Sequence, residues 1–260
     1  MVQFENLSEA VVEEPSHPER IEAVPEHTLG SEGEEKAAQI RKAFTAHMEY
    51  LLKEGKNLIG KGSLAEVYPL EINPTVCVKV INDSKKFGTI ASTRLLETPF
   101  YNSPHLEASF LSDMQRVSGE VGVPKPFYSV EHRVVDEGGM SANISALAME
   151  RLDAVSIAEV LNGEAELPAA FESTRFWKCL RDFVTKMHEE GIYHRDLHGG
   201  NVMIGKSDAR PYVIDFGTAV YATEHDAYER PTRGKVTVGR FIEDFAGLEK
   251  MQKELERATH

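Results

Sequence analysis

Residues 193–204 read YHRDLHGGNVMI, and nine residues further on the chain reads VIDFGTAV (213–220). Both stretches set charged or carboxamide side chains and glycines directly against apolar runs, an arrangement that packing alone does not require. For Asp196 to take a proton from a substrate hydroxyl, it has to sit on a loop tip beside the reacting group. Asn201, five residues on, offers a carboxamide oxygen to a metal ion, and Asp215, fourteen residues beyond that, offers a carboxylate. That interval accommodates a short strand, a turn and a return strand, which brings both oxygens to one end of a hairpin. Gly199 and Gly200 let the loop turn tightly, while His194 and Arg195 brace it from beneath.

Upstream, GKGSLAEV (60–67) approaches the pattern G-x-G-x-x-G-x-V, with Ala65 in place of the third glycine. Gly60 and Gly62 allow backbone to approach a phosphate chain where a Cβ would obstruct it; a plain hairpin turn is the competing reading. Lys79 lies within VCVKV, where an unpartnered ammonium is costly to bury. Either it lies on a wet strand face, or it reaches phosphate oxygens and needs a carboxylate to hold it. Glu107 in HLEASFLSDM is the first candidate, because Leu111 and Met114 continue a buried helical stripe from it. Glu97 and Glu120 are the fallbacks.

The rest of the chain alternates in character. Residues 1–33 are rich in Glu, contain Pro15, Pro18 and Pro25, and show no sustained periodicity, which predicts an unstructured acidic tail. Such a tail is either a solvated leader or a segment that binds a partner. Residues 34–56 carry helical spacing through Ala37, Ile40, Phe44, Met48 and Leu51. Strands are expected over 58–68 and 75–81, a helix from Pro104 to about Val117, and two more strands in GVPKPFYSV and ISALAME. The second half turns helical: 156–161, a long amphipathic helix over 171–191 closed by Gly191, and a last helix over 239–257, with short strands at VMI and YVI.

Composition limits the function classes. The 260 residues are 41% hydrophobic and 27% charged, ordinary values for a globular chain. Of the net charge of −13, residues 1–36 supply −8 (ten Glu against Arg20 and Lys36). No basic footprint for nucleic acid is present. No segment reaches the roughly 20 apolar residues of a membrane span, and the N-terminus lacks the basic flank and apolar run of a cleaved signal. Cys77 and Cys179 sit in apolar segments and are expected as buried, reduced thiols, in keeping with a cytoplasmic setting.

Taken in order, the glycine-rich hairpin, the strand lysine, HRD-x-x-x-x-N and DFG resemble the protein-kinase-like superfamily over about residues 57–220. The resemblance implies an α+β, bilobal fold: a β-rich N-lobe (57–150) and a shortened helical C-lobe (151–260), with ATP and Mg²⁺ between them. It implies that Gly60, Lys61, Gly62, Ser63 and Val67 cover the nucleotide, and that Lys79, held by Glu107, positions its phosphates. Asn201 and Asp215 would bind the metal, and Asp196 would act as the catalytic base. AMERLDA (148–154) would be the hinge, Met149 guarding the pocket and the backbone of Glu150 and Leu152 bonding the base.

The sequence departs from that pattern at two points. His198 stands where serine/threonine kinases carry lysine, and DLHGGN is similar to the loop of aminoglycoside- and choline-kinase-like enzymes. It either donates to the γ-phosphate or packs. Only 43 residues follow Gly217, and no Ala-Pro-Glu element is visible. Asp244 in IEDFAGL is either the buried aspartate that braces the catalytic loop in such enzymes or an exposed helical residue. The compact C-lobe resembles reduced kinases that enteric pathogens inject into host cells, and RIO-like kinases. The leading expectation is a protein kinase acting on Ser/Thr, cytoplasmic or secreted into a host cell without a cleaved signal. The alternatives are a small-molecule kinase and a non-catalytic kinase-fold scaffold. Residues 221–238, with Arg230, Arg233 and Lys235, are either a docking or autophosphorylated loop or a solvated linker.

Overall fold

The computed structural model describes residues 20–22, 58–62, 65–70, 73–82, 103–135, 141–222 and 243–259. Its first half is an antiparallel sheet of β1 (Arg20–Glu22), β2 (Gly60–Lys61), β3 (Ala65–Leu70), β4 (Asn73–Asn82), β5 (Pro126–Val135) and β6 (Ser141–Glu150), in the order β1-β5-β6-β4-β3-β2. Helix α1 (Pro104–Val117) lies between β4 and β5 in sequence. Strand periodicity sorts β4: Val76 and Val78 join one apolar cluster with Phe127, Tyr128 and Ala148, while Cys77 joins another with Phe110, Leu111 and Met149. Lys79 shares the Cys77 face, the side on which α1 lies.

Helix α1 starts where Ser103 Oγ accepts the Leu106 N–H at 3.2 Å, with Pro104 in the first turn where its missing N–H costs nothing. Its buried side chains, among them Glu107, Phe110, Leu111 and Met114, follow the i, i+3, i+4, i+7 spacing read from the sequence.

The second half contains β7 (Ala154–Ser156), α2 (Ile157–Leu161), α3 (Ser173–Glu189), β8 (Ile192–Tyr193), β9 (Val202–Gly205), β10 (Pro211–Val213), β11 (Val220–Tyr221) and α4 (Asp244–Thr259). A capping box starts α2: Glu159 N–H donates to Ser156 Oγ, and Ser156 N–H donates to Glu159 Oε2 at 2.7 Å. Helix α3 buries Phe176, Trp177, Leu180, Phe183, Val184 and Met187, and ends before Gly191 at φ 72°. This stripe and α4's Leu248, Met251 and Leu255 belong to the same core cluster as α1 and Cys77, so one apolar core runs through both halves.

The segment between α1 and β5 is tied to the β9–β10 turn. The Arg210 guanidinium donates to the carbonyls of Gly119, Glu120 and Val121 at 2.8–3.2 Å. Gly122 N–H donates to Pro211 O at 2.8 Å, and Val213 N–H to Gly122 O at 2.9 Å.

Several expectations are corrected. Arg20–Glu22, placed by the sequence in an unstructured tail, pairs with Ser129–Glu131 at the sheet edge. β5 and β6 extend well past GVPKPFYSV and ISALAME at their outer ends. Cys179 is not buried: it faces Glu120 Oε2 at 3.1 Å near the surface, and both cysteines are free thiols. The helix expected over 34–56, residues 239–242 of the last helix, and 223–238 of the connecting segment lie outside the described residues.

Candidate active site

The motif side chains converge between the two halves. Strand β4 presents Lys79 toward α1, where its ammonium meets Glu107 Oε1 at 2.8 Å and Oε2 at 2.9 Å. The same Nζ lies 2.7 Å from Asp215 Oδ1. Glu97 is outside the described residues, and the other fallback, Glu120, pairs instead with Arg175 at 3.2 Å on the surface. Burial pushes the Glu107 carboxyl above its ordinary value; Lys79 pulls it back down, and the nearby Asp215 charge adds to the rise. Burial also opposes ionisation of Asp215, but the Lys79 ammonium and the Gly217 N–H more than offset it and hold that carboxyl at about 2. Among the described residues, one ammonium thus serves two carboxylates.

Asp215 occupies the left-handed region, φ 63° and ψ 70°, a conformation uncommon for a side-chain-bearing residue and concentrated at functional sites. Its Oδ1 accepts the Gly217 N–H at 3.1 Å, which stabilises the turn. Phe216 is fully buried against the His194 ring, centroids 4.7 Å apart, and His194 Nε2 bonds Ile214 O at 3.0 Å. The β9–β10 hairpin does what the fourteen-residue interval suggested. Val202 pairs with Val213, and Ile214 N–H donates to Asn201 O at 3.0 Å, which sets Asn201 and Asp215 side by side at one end.

Asn201 Nδ2 donates to the Asp196 carbonyl at 2.9 Å and lies 3.4 Å from Asp196 Oδ2. Its Oδ1 bonds none of the described residues. A carboxamide oxygen beside an ionised carboxylate is a hard-oxygen donor set suited to Mg²⁺, which keeps several waters and substrate oxygens in its shell. The structure therefore fits a divalent cation at Asn201 and Asp215.

Under the loop sits a carboxylate that the sequence singled out only by resemblance. Asp244, at the start of α4 and 3% exposed, accepts His194 N–H at 2.9 Å and Arg195 N–H at 2.8 Å. Its Oδ2 also meets His188 Nε2 at 2.9 Å. The exposed-helix reading of Asp244 is thereby overturned. Arg195 has φ 69°, and these two N–H contacts help hold that strained backbone. His188 was not flagged by the sequence; the available signal was its place six residues before His194, on the last turn of α3.

Met149 is buried in the shared core and pairs with Cys77 across β4 and β6. Glu150 N–H is taken by Lys125 O at 2.8 Å and Arg151 N–H by Thr75 O at 2.8 Å, whereas Leu152 N–H donates to none of the described residues. Gly60 and Lys61 pair with Val67 and Glu66, and Gly62 N–H donates to Ala65 O at 2.8 Å, closing the hairpin. Ser63 lies outside the described residues.

A β-rich half and a helical half thus meet at a lysine, two carboxylates and an Asp–Asn loop. A family model for the protein kinase domain matches residues 54–237, and the chain belongs to that family: in reaction class, a kinase phosphotransferase. A comparison with individually curated proteins returned no match. Among the described residues no helix is long and apolar enough to cross a membrane.

Proposed function

We propose that this chain phosphorylates serine or threonine hydroxyls of a protein with ATP and Mg²⁺. In this reading residues 57–150 form the nucleotide-covering lobe and 151–260 the acceptor lobe. The observation carrying this reading is the joint placement of Lys79, Glu107 and Asp215 beside the Asp196–Asn201 loop. A non-catalytic scaffold has no need of that set.

In the step proposed, the acceptor oxygen bonds to the γ-phosphorus and the bond to the β,γ-bridging oxygen breaks. ADP leaves with that electron pair, and the acceptor proton passes to Asp196. Glu107 holds the Lys79 ammonium for phosphate oxygens. The hinge offers the Glu150 carbonyl and the Leu152 N–H to the base, with Met149 behind it. Gly60, Lys61, Gly62, Ser63 and Val67 cover the nucleotide. Bound between Asn201 and Asp215, Mg²⁺ would neutralise phosphate charge. Because the transition state is loose, positioning and charge neutralisation supply most of the acceleration. The free thiols suit a reducing cytosol, the cell's own or that of a host into which the protein is delivered.

His198 favours a second reading, a small-molecule acceptor. Incubation with γ-labelled ATP, Mg²⁺ and dephosphorylated casein, beside Asp196→Ala, decides. Label on casein or on the enzyme supports a protein kinase, label on small metabolites supports the second reading, and nucleotide binding without transfer refutes both.

A further inference from the structure

His198 is not core filling. Its side chain is 46% exposed, and the ring stands over the loop with its two nitrogens in different surroundings. Nδ1 accepts the Gly200 N–H at 3.0 Å. A nitrogen that accepts has no proton, so the ring carries its proton on Nε2. Nε2 faces Asp196 Oδ2 at 3.7 Å.

Position 200 makes room for this ring. A Cβ there would lie 2.9 Å from His198 Cε1 and 3.1 Å from Nδ1, so the ring would have to move aside. The loop is held from the other side as well, since Ala158 N–H at the start of α2 donates to Gly199 O at 2.8 Å. Asn201 N–H donates to His198 O at 2.8 Å. The ring is therefore presented by a braced turn rather than by a free loop.

Asp196 Oδ2 is thus approached from two sides: Asn201 Nδ2 donates at 3.4 Å, and His198 Nε2 stands at 3.7 Å, one small ring movement short of a hydrogen bond. Asp196 Oδ1 bonds none of the described residues. We infer that His198 is a positioning residue for the acceptor: its Nε2–H and Asn201 Nδ2 together aim the Asp196 carboxylate, directing Oδ1 at the incoming hydroxyl. The inference rests on the phosphotransferase reading above. It assigns to a directional ring donor, fixed by a backbone N–H, the place in the loop where serine/threonine kinases carry a flexible ammonium. The donor acts on Asp196, so its loss lowers turnover and leaves nucleotide affinity alone, because a misaimed base misplaces the acceptor and not ATP.

The test compares His198→Ala, His198→Asn and His198→Gln with the wild-type chain. Steady-state transfer from ATP to casein, or single-turnover autophosphorylation, is measured together with melting temperature. Asn can take the Gly200 N–H through its own oxygen but does not reach Asp196; Gln carries an amide N–H out to the Nε2 position. The expected result is a roughly ten- to hundredfold fall in kcat for Ala and Asn, with KM for ATP within about twofold of wild type, and partial recovery for Gln. A role limited to shaping the loop predicts the reverse order, with Asn restoring activity. Wild-type kcat in Ala or Asn, or Gln no better than Asn, overturns the inference. Should the Ala variant not fold, the Asn–Gln pair alone carries the comparison. If the wild-type chain transfers no label, the kinase reading fails; if it transfers and all three variants match it, only this inference fails.

Discussion

Two aspartates lie on either side of the Asp196–Asn201 loop, one buried and one partly exposed, and they are held in different ways. Asp244 below the loop is closed: its side chain is 2% exposed, and two backbone N–H groups and His188 surround it. Asp215 above the loop is 32% exposed and shares the Lys79 ammonium with Glu107. A carboxylate enclosed by donors that all belong to the fold has nothing left to bind, and its work is to fix backbone. A carboxylate that shares its cation and keeps a face to solvent is arranged for a ligand. The difference separates a backbone-bracing role from a ligand-facing one at two aspartates of identical side-chain chemistry.

The sharpest way to break that distinction is to remove each in turn. Asp215→Ala should lower transfer by about a thousandfold or more, equivalent to ~4 kcal/mol, with the fold retained. Mg²⁺-dependent activity persisting at the wild-type level would refute the assignment. Asp244→Ala should act first on the fold, leaving two buried N–H groups without their acceptor at a cost of about 3 kcal/mol. Chemical denaturation reads that loss; a wild-type midpoint would show that the brace is dispensable.

Acid should find Asp215 before it melts the whole site. Its folded value of about 2 lies below the ordinary 3.8. The group therefore contributes stability above pH ~4, and this is lost as pH falls toward ~2, an effect of about 1–2 kcal/mol after allowance for its partial exposure. Unfolding free energies of wild type and Asp215→Asn should converge over that window, and parallel curves would contradict it. The smallest effect expected is at the start of α2. Ser156→Ala removes one half of the α2 capping box and should cost about 1 kcal/mol by denaturation, with KM for ATP unchanged.

How much of this could be read beforehand follows from where the information resides. Lys79, Asp196, Asn201 and Asp215 announce themselves because polar groups interrupt apolar runs at fixed spacing, and the β9–β10 hairpin is a local event. Helices α1 and α3 were legible from their stripes and caps. The paired strands β8 and β11 are two residues each, too short for any period, and exist only because Val220 and Tyr193 are brought together by the loop and the turn at Phe216–Thr218. The brace was the hardest part. Asp244 contacts residues 49, 50 and 56 positions away, so nothing in its own neighbourhood distinguishes it from a surface helical aspartate. Likewise His188 looks like one more polar residue at a helix end until α4 packs against it.

The tie formed by Arg210 between the two halves has a mechanical corollary. The segment 119–122 leaves α1, yet through Arg210, Pro211 and Val213 it is bonded to the helical half. Any rotation of the sheet that keeps those bonds has its pivot at the C-terminal end of α1. Such a rotation would carry Lys79 and Glu107 together, because β4 and α1 lie on the same side of that pivot and α1 packs on the sheet through β5 and β6.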